Sequence, residues 1–172
     1  MSIFDRLFKR SADPKEVMLP LYHAIVARGR AVHWYVEGEV PDTLDGRFDM
    51  IAAVLSLVLI RLEQADKRSE SVWLTELFVD DMDGQLRQMG IGDVVVGKHI
   101  GRMMSALGGR LSAYRKALAE GDDFADALRR NLYRGEAVSD TALADVETHL
   151  RHFADALEST YIKALMAGEL PS

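Results

Sequence analysis

The chain has no cysteine among its 172 residues. Disulfides and thiolate metal sites are therefore excluded, and nothing points to an oxidising compartment. Proline is scarce, with four residues, so few positions force a helix to stop. Long apolar runs are missing too. The longest, from about Val54 to Ile60, is interrupted by Ser56 and falls well short of the ~20 residues that cross a bilayer. No repeat, low-complexity tract or convincing alternating strand occurs. Val94-Val95-Val96 is β-prone but three residues long, and it reads as the approach to a helix. Positive charge is in deficit, with a net charge of −6, which argues against direct binding to DNA and against a general nucleic-acid binder. The first ten residues lack the apolar run of a signal peptide, and the early Asp5 argues against a mitochondrial transit peptide.

What is present is helical. Ala, Leu, Arg, Glu and Met are plentiful, and the length suits one domain that buries roughly 70% of its unfolded surface. We expect an all-α fold, a single compact bundle of about five to seven helices over residues 13–172. Residues 1–12 form an amphipathic segment, free to be mobile, whose Ile3, Phe4, Leu7 and Phe8 can touch a membrane or a partner. Pro14 suits the first position of a helix that buries Val17, Leu21, His23, Ala24 and Ile25. The pattern weakens near Gly29, the Trp34-Tyr35 pair follows, and Glu37 to Asp42 reads as a loop. Phe48, Ile51, Leu55, Val58 and Leu62 mark a strong helix that Asp42, Thr43 or Asp45 can cap. Leu74, Leu77, Phe78, Met82 and Leu86 mark the next, which Gly90 and Gly92 end. A long helix carries Ile100, Met103, Leu107, Leu111, Tyr114 and Leu118 and closes at Gly121. A short one spans Phe124 to Leu132, and the last places Leu143, Val146, Leu150, Phe153, Leu157, Tyr161 and Leu165 on one stripe.

Charge is unevenly spread. From Lys98 to Arg134 eight Lys/Arg stand against four Asp/Glu, and from Glu136 onward two stand against seven. Such a split can steer a partner, but more often it is only the solvated faces of neighbouring helices. The densest chemistry lies in Asp80 to His99. Gly92 to Lys98 fits seven positions of a phosphate loop, but His99 stands where Ser or Thr must hold magnesium, and no strand precedes it. As a calcium loop centred on Gly84, the stretch has Val79 first and Gly90 twelfth, where ligands are required; Gly46 fares no better, with Pro41 and Ala52. His149 and His152 are three apart on the last helix, where a metal would need further ligands from elsewhere and an exposed polar face is the simpler reading, and no nucleophile motif occurs. No metal, cofactor or active site is expected. A second dense cluster runs from Val40 to Met50. Asp42, Asp45 and Asp49 suit a helix N-terminus, Arg47 can bridge carboxylates, and Gly46 is costly there unless the backbone needs room. The cluster is a polar hub fixing two helices, a recognition surface, or both.

These residues resemble the ubiquinol–cytochrome c chaperone family. The likeness rests on Pro41 to Met50, Arg61-Leu62, Asp81-Met82-Asp83 and Leu86 to Asp93, in order. Gly97-Lys98, Gly109-Arg110 with Tyr114, and Arg130 to Tyr133 extend it, and Tyr22 and Arg30 fit the opening helix. Val54 stands where the family usually has a histidine, Leu107-Gly108 where it has an aromatic pair, and a proline common near Val32 to Trp34 is absent. The resemblance implies a non-enzymatic assembly factor of the bacterial form, in the cytoplasm or at the inner face of the cytoplasmic membrane. It would bind its client, cytochrome b, through an apolar groove with a charged rim, with a small helper protein or the ribosome as further partners. Asp42, Asp45, Arg47, Phe48, Asp49, Asp83, Arg87, Gly92, Asp93, Lys98, Arg110 and Tyr114 are the expected partner-binding or hub residues, and the two dense clusters are expected to lie close together. A cytoplasmic regulatory or scaffold protein with an unrelated partner is the alternative. A haem carrier using His23 or His33 beside Trp34 is a third.

Overall fold

The computed structural model describes residues 13–119 and 123–172. Ile3, Phe4, Leu7, Phe8 and Gly121 therefore lie outside the described residues. Asp13 accepts from the Lys15 amide and opens a 3-10 turn over Pro14–Met18. The helices that follow are α1 (Leu19–Gly29), α2 (His33–Val36), α3 (Leu44–Gln64), α4 (Arg68–Gln88), α5 (Asp93–Ala119), α6 (Phe124–Asn131), α7 (Asp140–Ser159) and α8 (Ile162–Met166). Two are single turns. The remainder form the expected all-α bundle, with no strand among the described residues.

The bundle is organised around α3. Fifteen of its 21 residues are buried, including every one from Phe48 to Ile60. Helices α1, α4, α5 and α7 all pack on it. A helix apolar on all sides must be enclosed on all sides, which is why the run Val54 to Ile60 shows so little periodicity. Val54 is fully buried there, and the Ser56 hydroxyl is satisfied by the Ala52 carbonyl at 2.7 Å. Each large apolar side chain so enclosed contributes about 1.5–3 kcal/mol.

The start of α3 is fixed by two residues. Thr43 caps it, its hydroxyl accepting from the Gly46 amide at 3.1 Å. Gly46 needs its missing side chain, because a Cβ would stand 1.9 Å from the Pro41 carbonyl oxygen. The loop folds back over the first turn of the helix, and only glycine leaves it space.

Several expectations fail locally. Val17 and His23 are exposed rather than buried, because the chain enters through a 3-10 turn before α1. The helical reading of Val94 to Val96 holds, since they form the first turn of α5, with Val96 buried and Val94 78% exposed. The last stripe breaks at Thr160, whose extended backbone (ψ 132°) separates α7 from α8 and leaves Tyr161 85% exposed. Arg61 secures that break by donating to the Leu157 carbonyl at 2.8 Å.

Candidate functional site

The polar centre of the molecule is Asp49. It sits in the second turn of α3, is 1% exposed, and accepts from two arginines brought from elsewhere. Arg110 of α5 donates through Nη2 to Oδ1. The Arg134 Nε donates to Oδ2 at 2.5 Å, and its Nη1 reaches Asp45 at 2.8 Å. Arg134 arrives through a turn after α6, where it takes a left-handed φ of 55° before Gly135 at 77°. Arg110 also donates to the Asn131 carbonyl at 2.5 Å and lies 5.6 Å from the Phe48 ring centroid. One guanidinium thus ties α3, α5 and the end of α6. Burial pushes the Asp49 carboxyl above its ordinary range, and Arg134 and Arg110 pull against that. Arg134 is raised, chiefly by its bond to Asp49.

The network is incompletely satisfied. Nε and Nη1 of Arg110 have no acceptor, nor does the buried Tyr114 hydroxyl have a partner. Tyr114 packs edge-on against Phe124 at 5.2 Å, and burial raises its hydroxyl pKa.

The expected site residues thus separate into groups. Asp45, Phe48, Asp49, Arg110 and Tyr114 meet at the hub. Arg47 does not bridge the hub carboxylates; it pairs with exposed Asp42 at 2.6 Å, depressing that carboxyl, and the bridge is made by Arg134 instead. Arg87 forms a third, exposed group. It contacts Asp83 at 2.6 Å along α4 and reaches Asp93 across the Gly90–Gly92 corner, pinning the start of α5. Gly90 takes a φ of 79°, while Gly92 accepts from the Val95 and Val96 amides and has open space where a Cβ would stand. Lys98 is exposed.

The two dense clusters are neighbours. Phe48 and Phe78 rings are 5.4 Å apart, and a small cavity of about 80 Å³ is lined jointly by Asp45, Arg47, Phe48, Met82, Gln85 and Leu86. Their contact is apolar, and their ion pairs remain separate.

Two larger openings flank α5. On one side an apolar groove of about 600 Å³ runs between α3, α4 and α5. Leu59, Val72, Val79, Met104 and Leu111 line it, with Lys15, Glu63, Glu76 and Asp80 at its rim. Lys15 bonds Asp80 at 2.6 Å, and Arg115 bonds Glu63 at 2.6 Å. Val72 stands 55% exposed in it. On the other side a cleft of about 400 Å³ lies over the hub, and His99 and Arg102 join Arg130 and Arg134 around it. Sequence reasoning missed Arg134 and Arg102, quoted Arg130 only as part of a motif, and placed Leu111 in a helix stripe without finding the groove. The signal for the arginines was the positive excess between Lys98 and Arg134.

The histidines are scattered. His23 is exposed. His33 packs 4.1 Å from the Trp34 ring and 5.4 Å from His149, with its pKa lowered by burial first and by His149 and Arg28 next. No cluster of three metal-ligating side chains occurs among the described residues, and none of their helices is long and apolar enough to cross a membrane.

A family model described as ubiquinol-cytochrome C chaperone matches residues 37–171. A solved structure described as the Cbp3 homolog from Brucella abortus is similar at 29% identity. It covers 98% of this chain and 95% of its own, with a TM-score of 0.78. No curated protein matches the chain.

Proposed function

The chain belongs to the ubiquinol-cytochrome c chaperone family, and on that premise we propose that it assists assembly of the ubiquinol–cytochrome c reductase complex by holding newly made cytochrome b. It acts by binding rather than by catalysis, at the inner face of the cytoplasmic membrane. The observation that carries this reading is the apolar groove beside Val72 and Met104. A client that will enter a bilayer must keep apolar helical segments from water until it is inserted, and a groove between helices accepts one helical face. The rim favours the same client. Three carboxylates line the groove; Lys15 takes Asp80 and Arg115 takes Glu63, which leaves Glu76 in excess, and cytoplasmic flanks of membrane helices are enriched in Lys and Arg. The hub has a different task in this scheme: it fixes α3 and α5, whose other faces form two walls of the groove.

Deleting the protein from its source organism tests the proposal. Loss of assembled reductase and a diminished cytochrome b absorption spectrum are expected. Normal levels of both would sink it. Affinity capture separates this role from that of a scaffold, since enrichment of cytochrome b is expected and a soluble complex without it is not.

A further inference from the structure

The groove accounts for one side of α5 and leaves the cleft over the hub without a task. That cleft is lined by four guanidiniums, those of Arg102, Arg110, Arg130 and Arg134, against the carboxylates of Asp45 and Asp49. The two carboxylates are already shared, because Asp49 takes both Arg110 and Arg134, and Asp45 takes Arg134 again. Arg110 is 3% exposed, and its Nε and Nη1 lack an acceptor at full hydrogen-bond geometry, with the Tyr114 hydroxyl the polar group beside them. A buried guanidinium with idle donors is unfavourable, and the field of an incompletely neutralised charge is strong where water is excluded. Arg102 and Arg110 are spaced by eight residues with Ala106 between them, so they share one face of α5 and only a methyl group stands between them.

We infer that this cleft binds a phosphate group. Arg102, Arg130 and Arg134 hold its oxygens at the rim, over the positive floor made by Arg110. Asp126 also takes Arg130, at 2.7 Å, so four guanidiniums stand against three carboxylates. The choice of phosphate rests on its three acceptor oxygens, enough to engage the three rim guanidiniums together, where a carboxylate has two. Guanidinium forks donate to phosphate oxygens in pairs. The volume of about 400 Å³ leaves space for the group to which the phosphate is esterified. A soluble phosphomonoester and a lipid phosphate headgroup present the same chemistry.

Titration calorimetry of the whole protein with inorganic phosphate, at constant ionic strength set by sodium chloride, tests the site. Saturable binding is expected, weakened at least about tenfold in Arg102→Glu and in Arg130→Glu, because each removes charge-assisted hydrogen bonds and sets a carboxylate against the anion. Lys116→Glu makes the same charge change elsewhere on α5 and should leave binding intact. Circular dichroism confirms that each exposed variant is folded. Sedimentation with phosphatidylcholine vesicles, with and without phosphatidic acid, separates the sources. Phosphatidic acid-dependent binding lost in Arg102→Glu assigns a lipid headgroup, and phosphate binding without vesicle binding assigns a soluble monoester. Absence of saturable binding to both probes, or an equal loss in Lys116→Glu, overturns the inference.

Discussion

Helix α5 separates two surfaces built on opposite principles. Met104 and Leu111 face a groove whose walls are ordinary apolar side chains, while Arg102, Ala106 and Arg110 face a cleft whose floor is a buried ion network. The exposed part of the groove can change at little cost to folding, since Val72 is already half in water. The floor of the cleft cannot, because Asp49 and Arg110 hold three elements together. An apolar groove and a structural hub therefore occupy different sides of one helix, and mutations should separate them.

The largest effect is expected at the hub. Asp49→Leu leaves Arg110 buried without its counter-charge and should cost about 3–5 kcal/mol in urea unfolding. Adding Arg110→Leu should recover much of that loss, because removing both partners avoids the stranded charge. No recovery in the double variant would show that the pair itself, rather than the unpaired charge, dominates. Gly46→Ala comes next. Its Cβ would meet the Pro41 carbonyl, and the required shift of the α3 entrance should cost about 1–3 kcal/mol. A melting temperature equal to that of the parent would mean the loop yields freely.

On the groove side the balance reverses. Val72→Glu should alter stability by no more than about 0.5 kcal/mol while reducing capture of cytochrome b severalfold. Equal capture by the variant would move the client elsewhere. A smaller effect is expected with pH. The folded His33 pKa lies below the free value of 6.5 through burial, His149 and Arg28. Above about pH 6.5 the ring is neutral in both states. Below it the unfolded chain takes the proton more readily, so stability should fall as pH drops towards the folded pKa. His33→Gln should flatten the stability profile between pH 7 and 5, and an unchanged slope would assign the pH dependence to other groups. The smallest effect is expected at Arg87, whose ion pairs with Asp83 and Asp93 are exposed. Arg87→Ala should leave the urea midpoint unmoved, since such pairs contribute little. A clear shift would show that the corner between α4 and α5 depends on them.

The fold was largely legible because helical periodicity reports burial directly. Leu74, Leu77, Phe78, Met82 and Leu86 are all buried where their spacing puts them. At α3 the expected stripe is buried, and the helix is enclosed on its other sides as well; the reading fails at Thr160, where an extended residue turns one stripe into two helices. The need for space at Gly46 was legible because a glycine in the first turn of a helix has a cost that close packing explains. The partner of Asp49 was half legible. Arg110 was singled out by its motif, but Arg134 acts through a left-handed turn that brings it back across 85 residues. The groove and the cleft were illegible as places, because each is assembled from three or more segments whose crossing angles no local pattern encodes.

The direct test of the central claim is photo-cross-linking during synthesis of cytochrome b, with a photoreactive side chain placed singly at Val72, at Met104 and at Arg102. Cross-links to cytochrome b from positions 72 and 104, and none from 102, are expected if the groove holds the client. Cross-links from 102 alone, or from none of the three while cytochrome b is captured, would contradict the assignment of the client to the groove.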